Sequence, residues 1–284
     1  MRLNKLFIFG NIYISICAVV MCLYAFYTFN VEPDINYLLF VFFATMTSYS
    51  FHWYLTPDVS ETSMRFKWVI ENRKLLQYFF LLSISATSVL LFILRDYFLI
   101  LAITALFTFI YSAAKISRKP FIWLRKIVIR KTAYLAGIWT LVSVILPMII
   151  SKVEFSNSAV IFTINRFLLI YVICILFDHR DKEEDKRNCV KNLIGQMSIG
   201  SIRILYFLCL GLFFISSIML FTRELDLIEF LILIIPGILL CFSFGHSIST
   251  RSDYWYYFYL DGLMMLSGFL YLLKMLFPWN TFYL

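Results

Sequence analysis

The chain has 284 residues, of which 62% are hydrophobic and only 15% are charged, and its mean hydropathy is +0.84. A water-soluble domain of this length needs far more polar surface, so the composition excludes a soluble protein and predicts an integral membrane protein. The formal net charge of +8 requires no nucleic-acid partner, because basic loops beside an anionic lipid leaflet carry the same excess.

Apolar runs of about 20 residues recur along the whole chain, and each can cross a hydrocarbon core of ~30 Å. The runs are continuous rather than alternating, which favours helices, since a helix satisfies its own backbone hydrogen bonds in lipid. The predicted spans cover residues 7–29, 36–55, 75–94, 97–113, 131–150, 159–177, 202–221, 226–246 and 254–276. We therefore predict an all-α, polytopic membrane protein with about nine transmembrane helices, in which residues 1–284 form one domain.

The distribution of basic residues predicts the orientation. If the N-terminus lies in the cytoplasm, all but five of the 25 Lys and Arg residues fall on the cytoplasmic side, which is a strong positive-inside bias. The first span is too long for the apolar core of a signal peptide, and no small-residue cleavage site follows it, so we expect it to remain in the protein. The five exceptions are Arg95, Lys152, Arg166, Arg223 and Lys274.

Several common site motifs are missing from the sequence. It contains no Walker loop, no dinucleotide-binding glycine motif and no nucleophile elbow. Its cysteines form no CxxC pair and its histidines no HExxH motif, so a zinc site is not expected.

Two polar residues stand at the inner end of the fourth span. Tyr111 and Lys115 are four residues apart and share one helical face, where the ammonium could hold a phosphate oxygen. An interfacial lysine that snorkels below an aromatic-belt tyrosine gives the same pattern. Both interpretations stay open.

Three carboxylates follow the sixth span directly. Asp178, Asp181 and Asp185 stand at i, i+3 and i+7, so a helix places all three on one face within about 60°. Hard oxygen ligands in this spacing suit Mg²⁺, which takes one or two carboxylates and completes its shell with water and substrate phosphate. A solvated loop whose acids are compensated by Lys182 and Lys186 is the alternative.

The ninth span contains a carboxylate. Asp261 is expected roughly 10 Å into the bilayer, where a charge costs about 2.5–3.5 kcal/mol, so it should face the bundle interior and find a partner. Arg166 and His246 are the candidate partners. An interhelical pair and a residue lining a site are both compatible with this position.

Four segments, which follow one another along the chain in the order expected of that family, resemble the UbiA superfamily of intramembrane prenyltransferases, and in particular a divergent bacterial branch. YSAAK at 111–115 is similar to its YxxxK element, and DHRDKEEDK at 178–186 to its second aspartate motif, DxxDxxxD. WLRKIVIRKTAYLAGIWTLVSVILP at 123–147 and YWYYFYLDGLMMLSGFLYLL at 254–273 resemble two further runs of that branch.

The first aspartate motif of the family, NDxxDxxxD, is degenerate in this chain. Ser50, Phe51 and Tyr54 stand where the Asn and the first two Asp residues belong, and only Asp58 remains. The segment resembles the YNFHR form that replaces the motif in the divergent branch. One of the two carboxylate walls of a two-metal site is therefore missing.

The resemblance implies a UbiA-like bundle in a bacterial cytoplasmic (inner) membrane, with a polyprenyl diphosphate and a lipophilic acceptor as substrates. Mg²⁺ on Asp178, Asp181 and Asp185 would bind the diphosphate, while Lys115 and Tyr111 offset charge on the leaving group. Substrate-binding roles are expected for Arg180, Lys119, His52, Asp58 and Asp261.

Two other functions fit the sequence. One is a UbiA-fold protein that has lost catalysis and binds an isoprenoid or a membrane partner, which the degenerate 50–58 segment suggests. The other is a small transporter that uses Asp261 and Arg166 as midplane charges.

Overall fold

The computed structural model describes residues 3–55, 63–113, 131–187 and 193–277 of the protein. Within these ranges all regular secondary structure is helical, with 88% of the residues in helices and no strand. In chain order the helices are α1 (Leu3–Phe9), α2 (Ile12–Thr28), α3 (Ile35–Leu55), α4 (Met64–Glu71), α5 (Arg73–Ile93), α6 (Phe98–Ala113), α7 (Lys131–Ile150), α8 (Asn157–Arg187), α9 (Leu193–Gln196), α10 (Ile199–Phe221), α11 (Leu227–Ser249) and α12 (Trp255–Leu276).

Seven of the described helices are long and apolar enough to cross a membrane, namely α5, α6 with the turn before it, α7, α8, α10, α11 and α12. Helices α1 and α2 pass the same test together but are bent by 56°, at a break where Asn11 has a φ of 68°. Helix α3 has the length of a span, 21 residues, but its second half is rich in Ser and Thr, and it is not among the seven. The all-α membrane class is confirmed, with seven candidate spans among the described residues rather than the nine predicted. The predicted run 7–29 covers the bent pair α1 and α2, and each of the other eight runs coincides with one helix.

The core of the bundle lies around α8, which packs against α7, α10, α11 and α12. Its side chains Ile170, Val172 and Leu176 are completely buried. In contrast, α5 and α6 expose large apolar side chains such as Phe92 and Leu99, as expected of helices that face lipid tails.

Helices α2 and α12 approach closely at a glycine. A Cβ atom on Gly268 would lie 2.7 Å from the carbonyl oxygen of Val20 and 2.9 Å from Cβ of Tyr24. Small residues at such contacts let helix backbones pack together in lipid, where packing rather than the hydrophobic effect drives association. This contact fixes α12, which carries Tyr257 and Asp261, against the N-terminal part of the chain.

Polar side chains gather at one end of the bundle, which we call the charged end. Here α3, α6, α8 and α11 end, and α2, α7 and α12 begin. The short helix α4 lies against this end with Arg65, Phe66 and Trp68 buried. Helix α8 continues about ten residues beyond the predicted span 159–177, so Asp178, Asp181 and Asp185 lie on a helix rather than in a loop.

The first residues of α12 form a π-helical turn, Trp255–Leu260, immediately before Asp261. The Tyr13 hydroxyl on α2 donates a hydrogen bond of 2.9 Å to the carbonyl oxygen of Phe258 within this turn. Such wider turns are often found at functional sites, because they shift side chains out of the regular helical register. The turn brings Tyr257 and Asp261 onto the wall of the same cavity.

Candidate functional site

A cavity of about 660 Å³ lies inside the bundle, between α3, α5, α6, α7, α8 and α12. It is lined from Tyr37 near the start of α3 to His52 near its end. These two residues are fifteen positions apart, so at ~1.5 Å per residue the cavity is about 22 Å long.

The two halves of the cavity differ in character. The half that points away from the charged end is lined mainly by apolar side chains, among them Phe40, Val41, Leu101, Val142 and Leu146. The half at the charged end is lined by Arg65, Lys131, Asp178, Arg180, Asp181 and Asp261. A molecule with an ionic head and a long apolar tail would match this division.

Lys131 joins two of the three predicted carboxylates. Its ammonium nitrogen lies 3.6 Å from Oδ1 of Asp178 and 3.3 Å from both carboxylate oxygens of Asp185. The hydroxyl of Thr132 donates a hydrogen bond to the other oxygen of Asp178. The i, i+7 pair therefore shares one face of α8 as predicted, and Lys131, the first residue of α7, already balances part of its charge.

Asp181 has a different partner. Its Oδ1 accepts a hydrogen bond of 2.7 Å from Nε of the adjacent Arg180, whose Nη2 donates to the Tyr257 hydroxyl at 2.8 Å. Asp178 and Asp181 belong to the cavity wall, whereas Asp185 does not.

The positions of the carboxylates determine whether the expected Mg²⁺ could bind here. Among the described residues, no three His, Cys, Asp or Glu side chains are grouped so that they could hold a metal ion. Asp178 and Asp181 fit the smaller requirement of Mg²⁺ for one or two carboxylates, with water and phosphate completing the shell. The ammonium of Lys131 beside Asp178 competes for the same negative charge.

Arg65 on α4 is a site residue that the sequence analysis missed. Its side chain is almost fully buried, with 2% of the residue exposed, and its guanidinium lies against the rings of Trp53 and Tyr257, 4.2 Å and 4.1 Å from their centroids. Nη2 donates to Oδ1 of Asn11 at 2.7 Å. Burial lowers the pKa of Arg65, but a guanidinium starts so far above neutrality that it stays charged.

Asp253 binds the backbone amide of Arg65. Its Oδ2 accepts hydrogen bonds from the Arg65 amide at 2.9 Å and from the Ser63 hydroxyl at 3.0 Å. Ser63 in turn caps α4 by accepting from the amide of Phe66. The carboxylate thus lies at the N-terminus of α4, where the helix dipole favours a negative charge.

Ser50, in the segment 50–58 that the sequence analysis singled out, is linked to the same arginine through Asn11. The hydroxyl of Ser50 accepts a hydrogen bond of 3.1 Å from Nδ2 of Asn11, and Asn11 accepts from Arg65 through its Oδ1. Asp58, the surviving acid of the motif, lies outside the described residues. Ser50 is therefore connected through Asn11 to a buried cation.

His52 and Tyr111 meet at the cavity wall. Their rings stack 5.7 Å apart at 15°, and Tyr111 stacks further on Tyr134 at 6.4 Å and 9°. The two predicted basic partners of this region, Lys115 and Lys119, lie outside the described residues.

Asp261 lines the cavity and is buried, with 6% exposed. The cations that line the same cavity are Arg65 and Arg180, whereas Arg166 and His246, which the sequence suggested, do not line it. The prediction of those two partners is wrong, because the chain folds α4 over the charged end and brings a more distant arginine to the site.

Arg166 binds a different residue, although its buried Nη1 has no hydrogen-bond partner. Its Nε and Nη2 donate to Oδ1 of the adjacent Asn165 at 3.1 Å and 2.6 Å. Nδ2 of Asn165 donates to α10, at the Phe213 carbonyl and the hydroxyls of Ser216 and Ser217. His246 packs against Trp255, with ring centroids 4.2 Å apart.

Six of the predicted site residues line one cavity in the structure, namely Asp178, Asp181, Arg180, Tyr111, His52 and Asp261. The sequence analysis did not assign Arg65, Lys131 or Tyr257 to the site. Lys131 is the first residue of the predicted fifth span, and this position could have indicated that it belongs to the site. No sequence pattern indicates that Arg65 is buried. The chain matches no protein-family model, no curated protein and no solved structure.

Proposed function

We propose that this protein is a UbiA-like prenyltransferase, which moves a polyprenyl group from its diphosphate to a lipophilic acceptor at the cytoplasmic face of a bacterial inner membrane. The cavity carries the proposal, since a charged half continues into an apolar half over about 22 Å. A polyprenyl diphosphate has the same two parts, an anionic head and an extended apolar tail.

The proposed topology has nine spans in a UbiA-like bundle, with α1 and α2 together as the first span and α3 as the second. The N-terminus and the charged end then face the cytoplasm. The excess of basic residues at this end supports that orientation.

In the proposed reaction the bond between the allylic carbon and the diphosphate oxygen breaks, and the diphosphate leaves with the electron pair. The allylic carbon bonds to a nucleophilic atom of the acceptor, which loses a proton. Arg180 and Tyr111 line the charged half, where they would bind and offset the charge of the leaving group, together with Lys115 and Lys119. Apolar residues along α3 would hold the tail and exclude water.

Magnesium held by Asp178, Asp181 and Asp185 would supply electrostatic stabilisation to the phosphate oxygens. Of these three acids, Asp178 and Asp181 face the cavity, so they are the principal proposed ligands. Asp185 contributes through Lys131, which it shares with Asp178.

A second function, an isoprenoid-binding protein without catalysis, is favoured by one observation. Lys131 balances part of the negative charge of Asp178 and Asp185, and the first motif has lost three of its four family residues, so the site has less negative charge to offer a metal. A small transporter that pairs Asp261 with Arg166 has weaker support, because Arg166 donates to Asn165 instead.

The proposal is tested with the full-length protein in lipid nanodiscs, supplied with geranylgeranyl diphosphate and a bacterial lipid extract as the source of acceptor. We expect Mg²⁺-dependent release of diphosphate and a prenylated lipid detectable by mass spectrometry. Asp181→Asn should lower the rate by at least tenfold, while Glu224→Gln, in the loop after α10 at the opposite end, should not. Binding of the donor without diphosphate release would favour the non-catalytic function, and no binding would contradict both.

A further inference from the structure

We infer that Arg65 and Arg180 together form an anion-binding site that holds a diphosphate directly, without a bridging metal ion. This inference rests on the proposed function, since it concerns the head group of the same ligand. It assigns to this chain a cationic wall in the place where the family has its first carboxylate wall.

The first observation is the unused hydrogen-bonding capacity of Arg65. Its guanidinium is buried on the cavity wall, yet it forms no salt bridge with a described carboxylate, and its Nε has no hydrogen-bond partner. Buried polar groups are nearly always satisfied, so an unpaired buried donor calls for an acceptor. An anion in the cavity would supply that acceptor.

Arg180, which lines the same cavity, has a second unpaired donor. Its Nη1 is buried and has no partner, although Nε and Nη2 are bound to Asp181 and Tyr257. The two guanidinium groups share one aromatic ring, since Arg65 lies 4.1 Å and Arg180 4.7 Å from the centroid of Tyr257. Tyr257 thus holds two cations at the same part of the cavity wall.

A role as a clamp for α4 explains only part of this geometry. The rings of Trp53 and Tyr257, whose centroids lie 6.0 Å apart at 75°, contact the Arg65 guanidinium from two adjacent directions, and Asn11 accounts for Nη2. Nε is left over. The guanidinium is also the group best suited to bind phosphate oxygens in pairs, whereas a carboxylate requires a metal ion between itself and the phosphate.

The position of Arg65 relates the site to the degenerate motif. Ser50 and Asn11 form a hydrogen-bonded chain that ends at Arg65, and Trp53 of the same segment stacks on it. Where the family's first motif would place acids that need Mg²⁺, this chain places a cation. The diphosphate then requires a metal at most on the Asp178 and Asp181 side.

The test titrates inorganic pyrophosphate into the full-length protein in phosphatidylcholine nanodiscs, by calorimetry, once with EDTA and once with Mg²⁺. We expect binding in EDTA that Mg²⁺ strengthens. Arg65→Gln should weaken the binding in EDTA by about tenfold or more, the loss of a charge-assisted hydrogen bond. Arg223→Gln, in an exposed loop at the opposite end, is the matched control and should leave it unchanged.

Each outcome decides between the two proposals. Binding that needs Mg²⁺ and is unaffected by Arg65→Gln overturns the arginine site but leaves the prenyltransferase proposal intact. No binding in either condition overturns both. If Arg65→Gln fails to fold, Arg180→Gln decides, with weaker binding in EDTA expected and unchanged binding contradictory. Pyrophosphate binding that phosphatidylglycerol in the nanodisc abolishes would make a lipid head group the occupant and contradict the inference.

Discussion

The ammonium of Lys131 lies 3.6 Å from a carboxylate oxygen of Asp178 and ties the first residue of α7 to the charged end of α8. The same nitrogen reaches Asp185, so one cation serves two acids on one helical face. All three side chains are largely buried. The charge balance of this cluster therefore depends on Lys131.

Lys131→Met should destabilise the protein in EDTA, because it leaves two buried carboxylates without their cation. Removing one partner of a buried ion pair typically costs about 3–5 kcal/mol. Mg²⁺ should restore part of the lost stability by binding between the two carboxylates in place of the Lys131 ammonium. Thermal unfolding in nanodiscs with and without Mg²⁺ measures both effects. Lys186→Met, whose side chain is 62% exposed, is the control, and equal stability of the two variants would contradict the prediction.

Ala105→Phe should narrow the apolar half of the cavity, since Ala105 on α6 is part of its wall. The variant should bind geranylgeranyl diphosphate several-fold more weakly but bind inorganic pyrophosphate as before, because only the tail is obstructed. Competition binding with the two ligands measures the difference. Leu106→Phe, which points to lipid with 54% of the residue exposed, should change neither affinity. Equal weakening of both ligands by Ala105→Phe would exclude this path for the tail.

Asn165→Leu should destabilise the bundle without affecting the site. Asn165 joins α8 to α10 and is the acceptor for buried Arg166, so its loss leaves a guanidinium unsatisfied. The expected cost is about 1–3 kcal/mol. Unfolding by a chemical denaturant measures it, with Ile164→Leu on the lipid-facing side as the control. Normal stability of Asn165→Leu would mean that Arg166 finds another acceptor.

Gly268→Val should disturb the contact between α2 and α12. Since a Cβ at this position lies 2.7 Å from the Val20 carbonyl oxygen, the helices must separate, at a cost of about 1–3 kcal/mol. The midpoint of thermal unfolding is the readout. Gly245→Ala is the control, because a Cβ there meets nothing within 4 Å. A variant as stable as the parent would show that the contact tolerates the added methyl groups.

The helical framework was predictable because each long apolar run has only one stable form in lipid. The pairing of Asp178 with Asp185 on one face also followed from their spacing on a helix. The hydrogen-bond partner of Asp181 could not be predicted in this way, because Asp181 binds its own neighbour, Arg180, instead of Lys131. Local side-chain competition of this kind leaves no periodic signal.

The partners of the buried charges were the least predictable part of the site. Depth along the spans suggested Arg166 or His246 for Asp261, but depth does not say which helices are adjacent. Arg65 lies in a short amphipathic helix between spans, and its basic character was explained equally well by the positive-inside rule. Only the packing of α4 against Trp53 and Tyr257 shows that this arginine is buried.

The most direct test of the central claim is photoaffinity labelling with a geranylgeranyl diphosphate that carries a diazirine at the far end of its tail. With the head group at Arg180 and the tail along α3, the label should attach to the apolar half, at Tyr37, Phe40 or Leu101, and excess pyrophosphate should suppress it. Labelling of lipid-facing residues such as Phe92 or Leu99, or labelling that pyrophosphate does not reduce, would contradict the account.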